Sequence, residues 1–427
     1  MSRFHATKHL EFEQDPDGID GAYDPLEQAP EQALEQVSAQ TGSLQFDFCR
    51  YIDARLIKVL HILDSLNRGG AETMALDVGR NAKANGLDLT FVATGGGDLE
   101  EEFRHSGVDF IRLQRRRPLD LGLVAQIRQI INERNIQVVH SHQPVEALHL
   151  YFATRGLSTK RVLTLHGVYP GAKNELALRF VLPRTHGRVV ISGDLLGWMS
   201  KKHGLPRNRN FSVISNGVDA RRLRSSGRSL RDELGLAADS VLIGMIANFS
   251  PVAQKDQMTV CKALPRLFAA APRAHFLFAG GRSKIAPHLF DDCLEYCRRK
   301  QIDERVHFLG QRSDIADVLN SLDIFVLSSR REGSPISVIE AMMMGLPSVL
   351  SDIGALREVS NNARYALLFR SGDGEDLAQK LIALVDNREY RVSLGKQAQK
   401  WASEKFSIAT HIANLNRFYD SMLGTAQ

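Results

Sequence analysis

Residues 57–84 read IKVLHILDSLNRGGAETMALDVGRNAKA. The opening run, Ile57 to Leu63, is short, apolar and rich in β-branched side chains, the pattern of a buried strand. Asn67-Arg68-Gly69-Gly70 follows as a glycine loop, and from about Ala71 to Ala84 apolar residues recur at helical spacing. Strand, glycine loop and helix in that order open a βα unit, and the unit recurs. LTFVAT (89–94), DFIRL (109–113), IQVVH (136–140), RVLTL (161–165) and RVVIS (188–192) read as further strands with helical segments between them. Repeated βα units imply a parallel sheet covered on both faces.

A second series starts after the arginine-rich stretch Arg221 to Arg231, with VLIGMIA (241–247), HFLFAG (275–280), RVHFLG (305–310), DIFVLS (323–328) and PSVLS (347–351) as strands. The expected architecture is α/β, with two Rossmann-like, doubly wound parallel-sheet domains facing an interdomain cleft. Three helical stretches are expected after Asn387, the last from about Ala409 to Met422 and returning to the first domain. The resulting division is an acidic, flexible extension over 1–55, a first domain over 56–221, a second over 222–405, and a returning helix within 406–427.

The 427 residues, 43% hydrophobic and 24% charged, suit two separate cores. No stretch reaches the roughly 20 apolar residues of a membrane span, and the first residues lack the apolar segment of a secretory signal, so a cytoplasmic protein is expected. Residues 1–36 hold nine acidic and two basic residues, which leaves the body distinctly basic. Excess positive charge favours anionic partners. Nucleic acid is an improbable one, because no nucleic-acid module or aromatic-interleaved basic stripe occurs. Asp15 and Asp17 form a D-x-D that reads as solvated charge. Cys49, Cys261, Cys293 and Cys297 lack C-x-x-C spacing and read as free thiols, and no metal set is apparent from spacing.

Chemistry concentrates in Arg331-Glu332-Gly333-Ser334-Pro335-Ile336-Ser337-Val338-Ile339-Glu340-Ala341-Met342, just after the strand DIFVLS. Gly333 allows close backbone approach, and Pro335 suits the first turn of a helix. A loop-to-helix junction presents free N–H groups and the positive dipole end, which a diphosphate would occupy. Glu340 then lies where a carboxylate can accept both hydroxyls of a ribose, and Glu332 sits at the loop tip.

The segment EGSPISVIEAMMMGLPSVLSDIGALREV resembles the E-x7-E signature of family 4 glycosyltransferases with the GT-B fold. Its core is Glu340, Ala341, Met342, Gly345 and Pro347, followed by Ser351-Asp352, Gly354 and Glu358. The resemblance runs over roughly residues 57–424. It implies that Glu332 attends the donor sugar and that Glu340 binds the nucleotide ribose. Arg68-Gly69-Gly70-Ala71-Glu72 matches the family's G-G-A-E loop, whose glycines admit the donor phosphate. His166 in TLHG stands where the family places a histidine against the transferring sugar. His140 and His142 take a structural or acceptor-side role, and Ser215-Asn216-Gly217-Val218-Asp219 an architectural one. Lys255 matches the family's diphosphate lysine, whereas Asn248 replaces its usual arginine; an amide can still donate to phosphate. Arg282, after Gly280-Gly281, is a candidate to compensate. Gly310 and Gln311 fall in the loop that brackets the nucleotide base.

The implied activity is metal-independent, retaining hexosyl transfer from a UDP- or GDP-linked sugar to an acceptor hydroxyl. Glu332, His166 and Lys255 would be the catalytic residues. The donor site would comprise Gly69, Gly70, Asn248, Lys255, Gly310, Gln311, Gly333, Ser334, Pro335, Ile336, Ser337 and Glu340. No cofactor is implied, since the nucleotide sugar is a substrate. A lipid-linked or growing glycan of bacterial polysaccharide, lipopolysaccharide or glycolipid synthesis is the implied acceptor. Arg115-Arg116-Arg117 and the amphipathic stretch Gly171 to Arg184 suit peripheral contact with an anionic membrane at its inner face. The competing reading is a catalytically silent GT-B subunit that binds nucleotide sugar. A dinucleotide dehydrogenase is disfavoured, because the first loop lacks a full G-x-G-x-x-G and no acidic residue ends the second strand.

Overall fold

The computed structural model describes residues 56–167, 171–203, 211–251 and 254–424. Cys49, the acidic extension and its D-x-D lie outside the described residues.

Among the described residues thirteen strands form two sheets. In chain order they are β1 (Ile57–Leu63), β2 (Leu87–Ala93), β3 (Asp109–Arg112), β4 (Val138–Ser141), β5 (Lys160–Leu165), β6 (Gly187–Val190), β7 (Phe211–Val213), β8 (Val241–Ile246), β9 (Ala274–Ala279), β10 (Val306–Gly310), β11 (Ile324–Leu327), β12 (Ser348–Ser351) and β13 (Leu367–Phe369). The first sheet runs β3-β2-β1-β4-β5-β6-β7 and the second β10-β9-β8-β11-β12-β13. Every strand pairing is parallel. Each sheet therefore reverses its strand order once, between β1 and β4 and between β8 and β11, and ligands of open α/β sheets gather beyond the strand ends at such a reversal. The two edge strands β7 and β13 were not foreseen. At three residues each, they are too short to carry a periodic signal.

Burial explains why the strands read as apolar runs instead of alternating ones. Leu60, Ile62, Val92 and Val139 face one layer of helices, while Leu63, Phe91 and Ala93 pack with Phe103 in another cluster. The larger core behind the second sheet extends through Phe276, Phe325 and Leu350 to Ile412, Leu415 and Tyr419 of the last helix.

After Asn387 there are two helices, Arg388–Lys405 and Ile408–Leu423, where three were expected. The weakly amphipathic run from Arg388 continues unbroken for 18 residues. The second of these helices is capped by Ser407, whose side chain accepts the Thr410 N–H, and ends at Gly424 in a left-handed conformation. It packs on the first lobe. Asn416 Nδ2 donates to the Asn85 carbonyl at 2.6 Å, and a Cβ on Gly187 in β6 would meet Phe418 Cζ at 2.7 Å, so only glycine fits beneath this helix. Val218 anchors its start, exchanging backbone hydrogen bonds with Phe406 (2.9 Å) and Ile408 (3.0 Å). Among the described residues no helix is long and apolar enough to cross a membrane. Cys261, Cys293 and Cys297 are buried free thiols.

Candidate functional site

The C-terminal ends of β1, β5, β8 and β11 and the loops after them enclose a cavity of about 430 Å³ between the lobes. The first lobe contributes Gly69, Gly70 and His166. The second contributes Asn248, Lys255, Gln311, Glu332, Gly333, Ser334, Pro335, Ile336, Ser337 and Glu340. Of the residues expected to form the donor site, Gly310 stands outside this wall. Its φ of 66° turns the chain so that Gln311 and Arg312 face the cavity, and its carbonyl accepts the Gly280 N–H at 2.8 Å.

The helix Ile336–Met343 starts at the cavity, with Pro335 as its N-cap and not its first turn. Its first N–H groups have no intrahelical carbonyl, so they and the dipole face the space where an anion would sit. Gly333 is required here. A Cβ on it would lie 2.5 Å from Ile191 Cδ1 and 3.1 Å from the His166 carbonyl of the opposite lobe. Asn216 pins the same loop from the first lobe: its N–H donates to Ser334 Oγ (3.2 Å) and its Nδ2 to the Ser334 carbonyl (2.7 Å). The Ser-Asn-Gly-Val-Asp turn is thus more than architectural, since Asn216 also lines the cavity.

Two ion pairs fix the glutamates. Lys255 Nζ meets Glu332 Oε1, with both side chains largely buried. Glu340 Oε1 lies 2.5 Å from Arg222 Nη2, and Arg222 Nε donates to Asp77 Oδ2 at 2.7 Å. Burial works against charge on Arg222, yet Glu340 and Asp77 together hold its guanidinium above the ordinary range, while burial raises Asp77. Asp77 also accepts the Asp219 N–H at 3.2 Å. Arg222 therefore ties the helix Gly70–Asn81 of the first lobe to the helix Ile336–Met343 of the second.

Asn248 keeps its carbonyl oxygen on the Gly281 N–H at 2.8 Å, which leaves its NH2 as the group it can offer a ligand. Arg282 does not compensate. It makes a two-pronged pair with Asp291 (3.0 and 2.5 Å) on the surface and is not part of the cavity wall. The cations that do line the cavity besides Lys255 are Arg68, which pairs with Glu102 at 2.6 Å, and Arg312, which pairs with Asp314 at 2.6 Å and Glu233 at 3.0 Å.

The histidines form the second missed feature. His166 Nε2 is 2.8 Å from His142 Nδ1; His142 Nε2 is 3.2 Å from His61 Nδ1; His61 Nε2 is 3.1 Å from Tyr419 Oη. Tyr419 Oη is also 2.6 Å from His140 Nδ1, and His140 Nε2 is 2.6 Å from Thr164 Oγ1. Burial lowers all four imidazoles, His61 to about 3, His166 to about 4, and His140 and His142 well below the usual range. Spacing in the sequence showed no metal set, whereas the fold brings His61, His140 and His142 within 4.8 Å of one another; their nitrogens are engaged in the contacts just given.

Arg115, expected as part of a basic surface run, is instead 3.3 Å from the buried Glu146. Burial and the nearby Asp64 push that glutamate up to about 7, and burial does the same to Glu72. Arg116 and Arg117 are exposed.

Residues 68–222 match the model of the Glycosyltransferase Family 4, and residues 240–387 match that of the Glycosyl transferases group 1. Together the two models span more than two thirds of the chain. N-acetyl-alpha-D-glucosaminyl L-malate synthase of Bacillus anthracis is 22% identical over 83% of this chain and 94% of its own. An Escherichia coli UDP-Gal:alpha-D-GlcNAc-diphosphoundecaprenol alpha-1,3-galactosyltransferase is 25% identical over 50% of this chain and 54% of its own. Among solved structures, a glycosyltransferase of Rickettsia africae superposes with a TM-score of 0.75 at 18% identity, covering 87% of this chain and 100% of that one. Anabaena HepE in complex with UDP and glucose does so with 0.72 at 19%, at the same coverage. Two parallel-sheet lobes, a cleft at their strand ends, and family models that together span more than two thirds of the chain agree: the chain is a GT-B glycosyltransferase and belongs to family 4.

Proposed function

We propose that this glycosyltransferase moves a sugar from a UDP-linked donor to a hydroxyl of a lipid-linked or growing glycan, with retention of anomeric configuration and without a metal. The observation that carries the reading is the Lys255–Glu332 pair set between the start of the helix Ile336–Met343 and His166. UDP is favoured over GDP because HepE was solved with UDP and the E. coli relative uses UDP-Gal. As the glycosyl–phosphate bond breaks, its electron pair stays on the diphosphate. Lys255, the Asn248 NH2 and the amides of Gly333 to Ser337 stabilise that charge. Glu332 holds sugar hydroxyls and offsets positive charge on the ring, and His166 contacts the sugar from the first lobe. The acceptor hydroxyl attacks from the leaving-group side, and its proton passes to the departing phosphate oxygen.

A membrane-bound acceptor is supported by the helix Ala172–Val181, where Lys173, Leu176 and Arg179 are exposed at three-residue spacing. Such a stripe suits an anionic lipid surface.

The test is thermal stabilisation by UDP against GDP, followed by turnover of UDP-sugars on diphosphoundecaprenol-linked acceptors, with product configuration read by NMR. Glu332→Ala should lower kcat about 100- to 1000-fold, the scale of losing one preorganised charge at the reacting centre. Normal turnover in that variant refutes the assignment, and UDP binding with no transfer by the unsubstituted protein would favour a silent subunit.

A further inference from the structure

Among the described residues the Glu340 carboxylate has one protein partner, and that partner stands at the crossing between the lobes. Arg222 belongs to the short helix Ala220–Leu223, where the chain passes from the first lobe to the second. Its Nη2 lies 2.5 Å from Glu340 Oε1, and its Nε donates to Asp77 Oδ2 at 2.7 Å on the helix Gly70–Asn81. Asp77 Oδ2 also accepts the Asp219 N–H at 3.2 Å, so one oxygen holds both the crossing segment and the guanidinium. The helices that carry Asp77 and Glu340 both begin at the cavity, with Gly70 and Ile336 in its wall. They touch there, since a Cβ on Gly70 would lie 3.4 Å from Ile336 Cγ1. Farther along, Arg222 joins them again.

Stability alone does not account for this arrangement. Asp77 is fully buried, and its Oδ1 has no hydrogen bond among the described residues. Buried ion pairs often contribute nothing net against apolar side chains of the same volume. The contribution of Asp77 is geometric. A guanidinium is a planar fork, so holding Nε at Asp77 sets the direction of Nη2. The last torsion of a glutamate is broad and roughly two-fold, and the contact with Nη2 is what selects the plane of the Glu340 carboxylate. Nor does Arg222 merely fill the place of a ligand. A ribose brings hydroxyls and no charge, so it cannot replace a cation set between two buried carboxylates. A carboxylate has about four lone-pair sites. Arg222 takes one at Oε1, and Oε2 has no partner among the described residues, which leaves room for two hydroxyls.

We propose that Arg222, anchored by Asp77, is a positioning residue that aims the Glu340 carboxylate at both hydroxyls of the nucleotide ribose, so that ribose recognition in the second lobe depends on a helix of the first. This role rests on the reading of Glu340 as the ribose carboxylate.

The experiment is calorimetric titration of the full chain with UDP and with 2′,3′-dideoxy-UDP, which lacks both hydroxyls. The unsubstituted protein should bind UDP roughly 10- to 100-fold more tightly, the worth of hydrogen bonds to a charged acceptor. Glu340→Ala should bring that ratio to about one. Arg222→Met combined with Asp77→Asn removes the cation without leaving Asp77 charged. It should lower the ratio at least about threefold, the scale of coupling between residues in contact, with dideoxy-UDP affinity held within about twofold. Arg222→Lys keeps the charge and loses the fork, and should also lower the ratio at least about threefold. In turnover with a UDP-sugar these Arg222 variants should raise donor KM and keep kcat within about twofold. A merely structural role would lower the melting temperature, weaken both nucleotides alike and leave the ratio unchanged. An unchanged ratio in the double variant, with Glu340→Ala abolishing it, overturns the role of Arg222 and leaves the ribose reading standing; if the double variant does not fold, Arg222→Lys decides by the same criterion. A ratio near one in the unsubstituted protein, or one that Glu340→Ala leaves intact, refutes the ribose reading and the role of Arg222 together.

Discussion

On the first-lobe side of the cleft His61, His140, His142 and His166 touch as uncharged rings, whereas toward the second lobe Lys255 meets Glu332 and Arg222 meets Glu340 as ions. Both regions are buried, and both are rich in groups that titrate. The imidazoles avoid the cost of burying charge by staying neutral and sharing protons along hydrogen bonds. The carboxylates at the other wall each meet a cation, Glu332 the Lys255 ammonium and Glu340 the Arg222 guanidinium. The same burial is therefore met in two different ways, by hydrogen-bonded neutral rings at one wall and by paired charges at the other.

The contrast is tested most severely at Arg222. Arg222→Met leaves Glu340 and Asp77 buried without their shared cation, and breaking such a pair costs about 3–5 kcal/mol of stability, measurable by urea unfolding. A cost below about 1 kcal/mol would show that these carboxylates do not depend on charge pairing.

Acidity separates the regions next. In the unfolded chain histidines take up protons below about pH 6.5. In the folded one His61 waits until about 3 and His166 until about 4. Between those limits the unfolded state binds more protons, so stability is full above pH 6.5 and is lost as pH falls, by up to about 1.4 kcal/mol per pH unit for each ring. Glu72 and Glu146 have the opposite sign. Raised to about 7, they bind protons in the folded state first, and their contribution is lost as pH rises from about 4.5 through 7. Melting temperature should rise from pH 4.5 to 6.5 because the rings outnumber these carboxyls, and Glu146→Gln should steepen the rise.

Glu340→Gln sharpens the assignment of the charged wall. It keeps a hydrogen-bonding oxygen for Arg222 and weakens acceptance from a ribose, so donor KM should rise about tenfold with kcat little changed, the signature of lost uniform binding. The smallest effect is expected at the departure from the family pattern: Asn248→Arg should lower donor KM roughly threefold by adding a partly screened charge near the diphosphate.

The two sheets and most of their strands were legible because parallel strands buried on both faces write themselves as apolar runs between helices. The cleft residues at Glu332 to Glu340 were legible for a related reason: glycine, proline and carboxylates cluster within one loop and the helix that follows. Arg222 and Asp77 were not, since they are 145 positions apart and pair only once the lobes are joined. The histidine chain was half visible. His61, His140, Thr164 and His166 all lie near the ends of strands, and the register aligns His61 with His140. Its other half, Tyr419, sits 358 positions from His61 on a helix whose sequence offers no sign of a polar partner.

That last helix also places a demand on the order of events in synthesis. The first lobe is translated early, yet the hydroxyl beneath its sheet and the side chains that cover Gly187 belong to residues 418–422. While the ribosome is still making the second lobe, His61 and His140 lack their common partner and β6 lacks its cover. The first lobe therefore cannot close its interior until residues 418–422 have followed the second lobe out, which couples the completion of both lobes into one step.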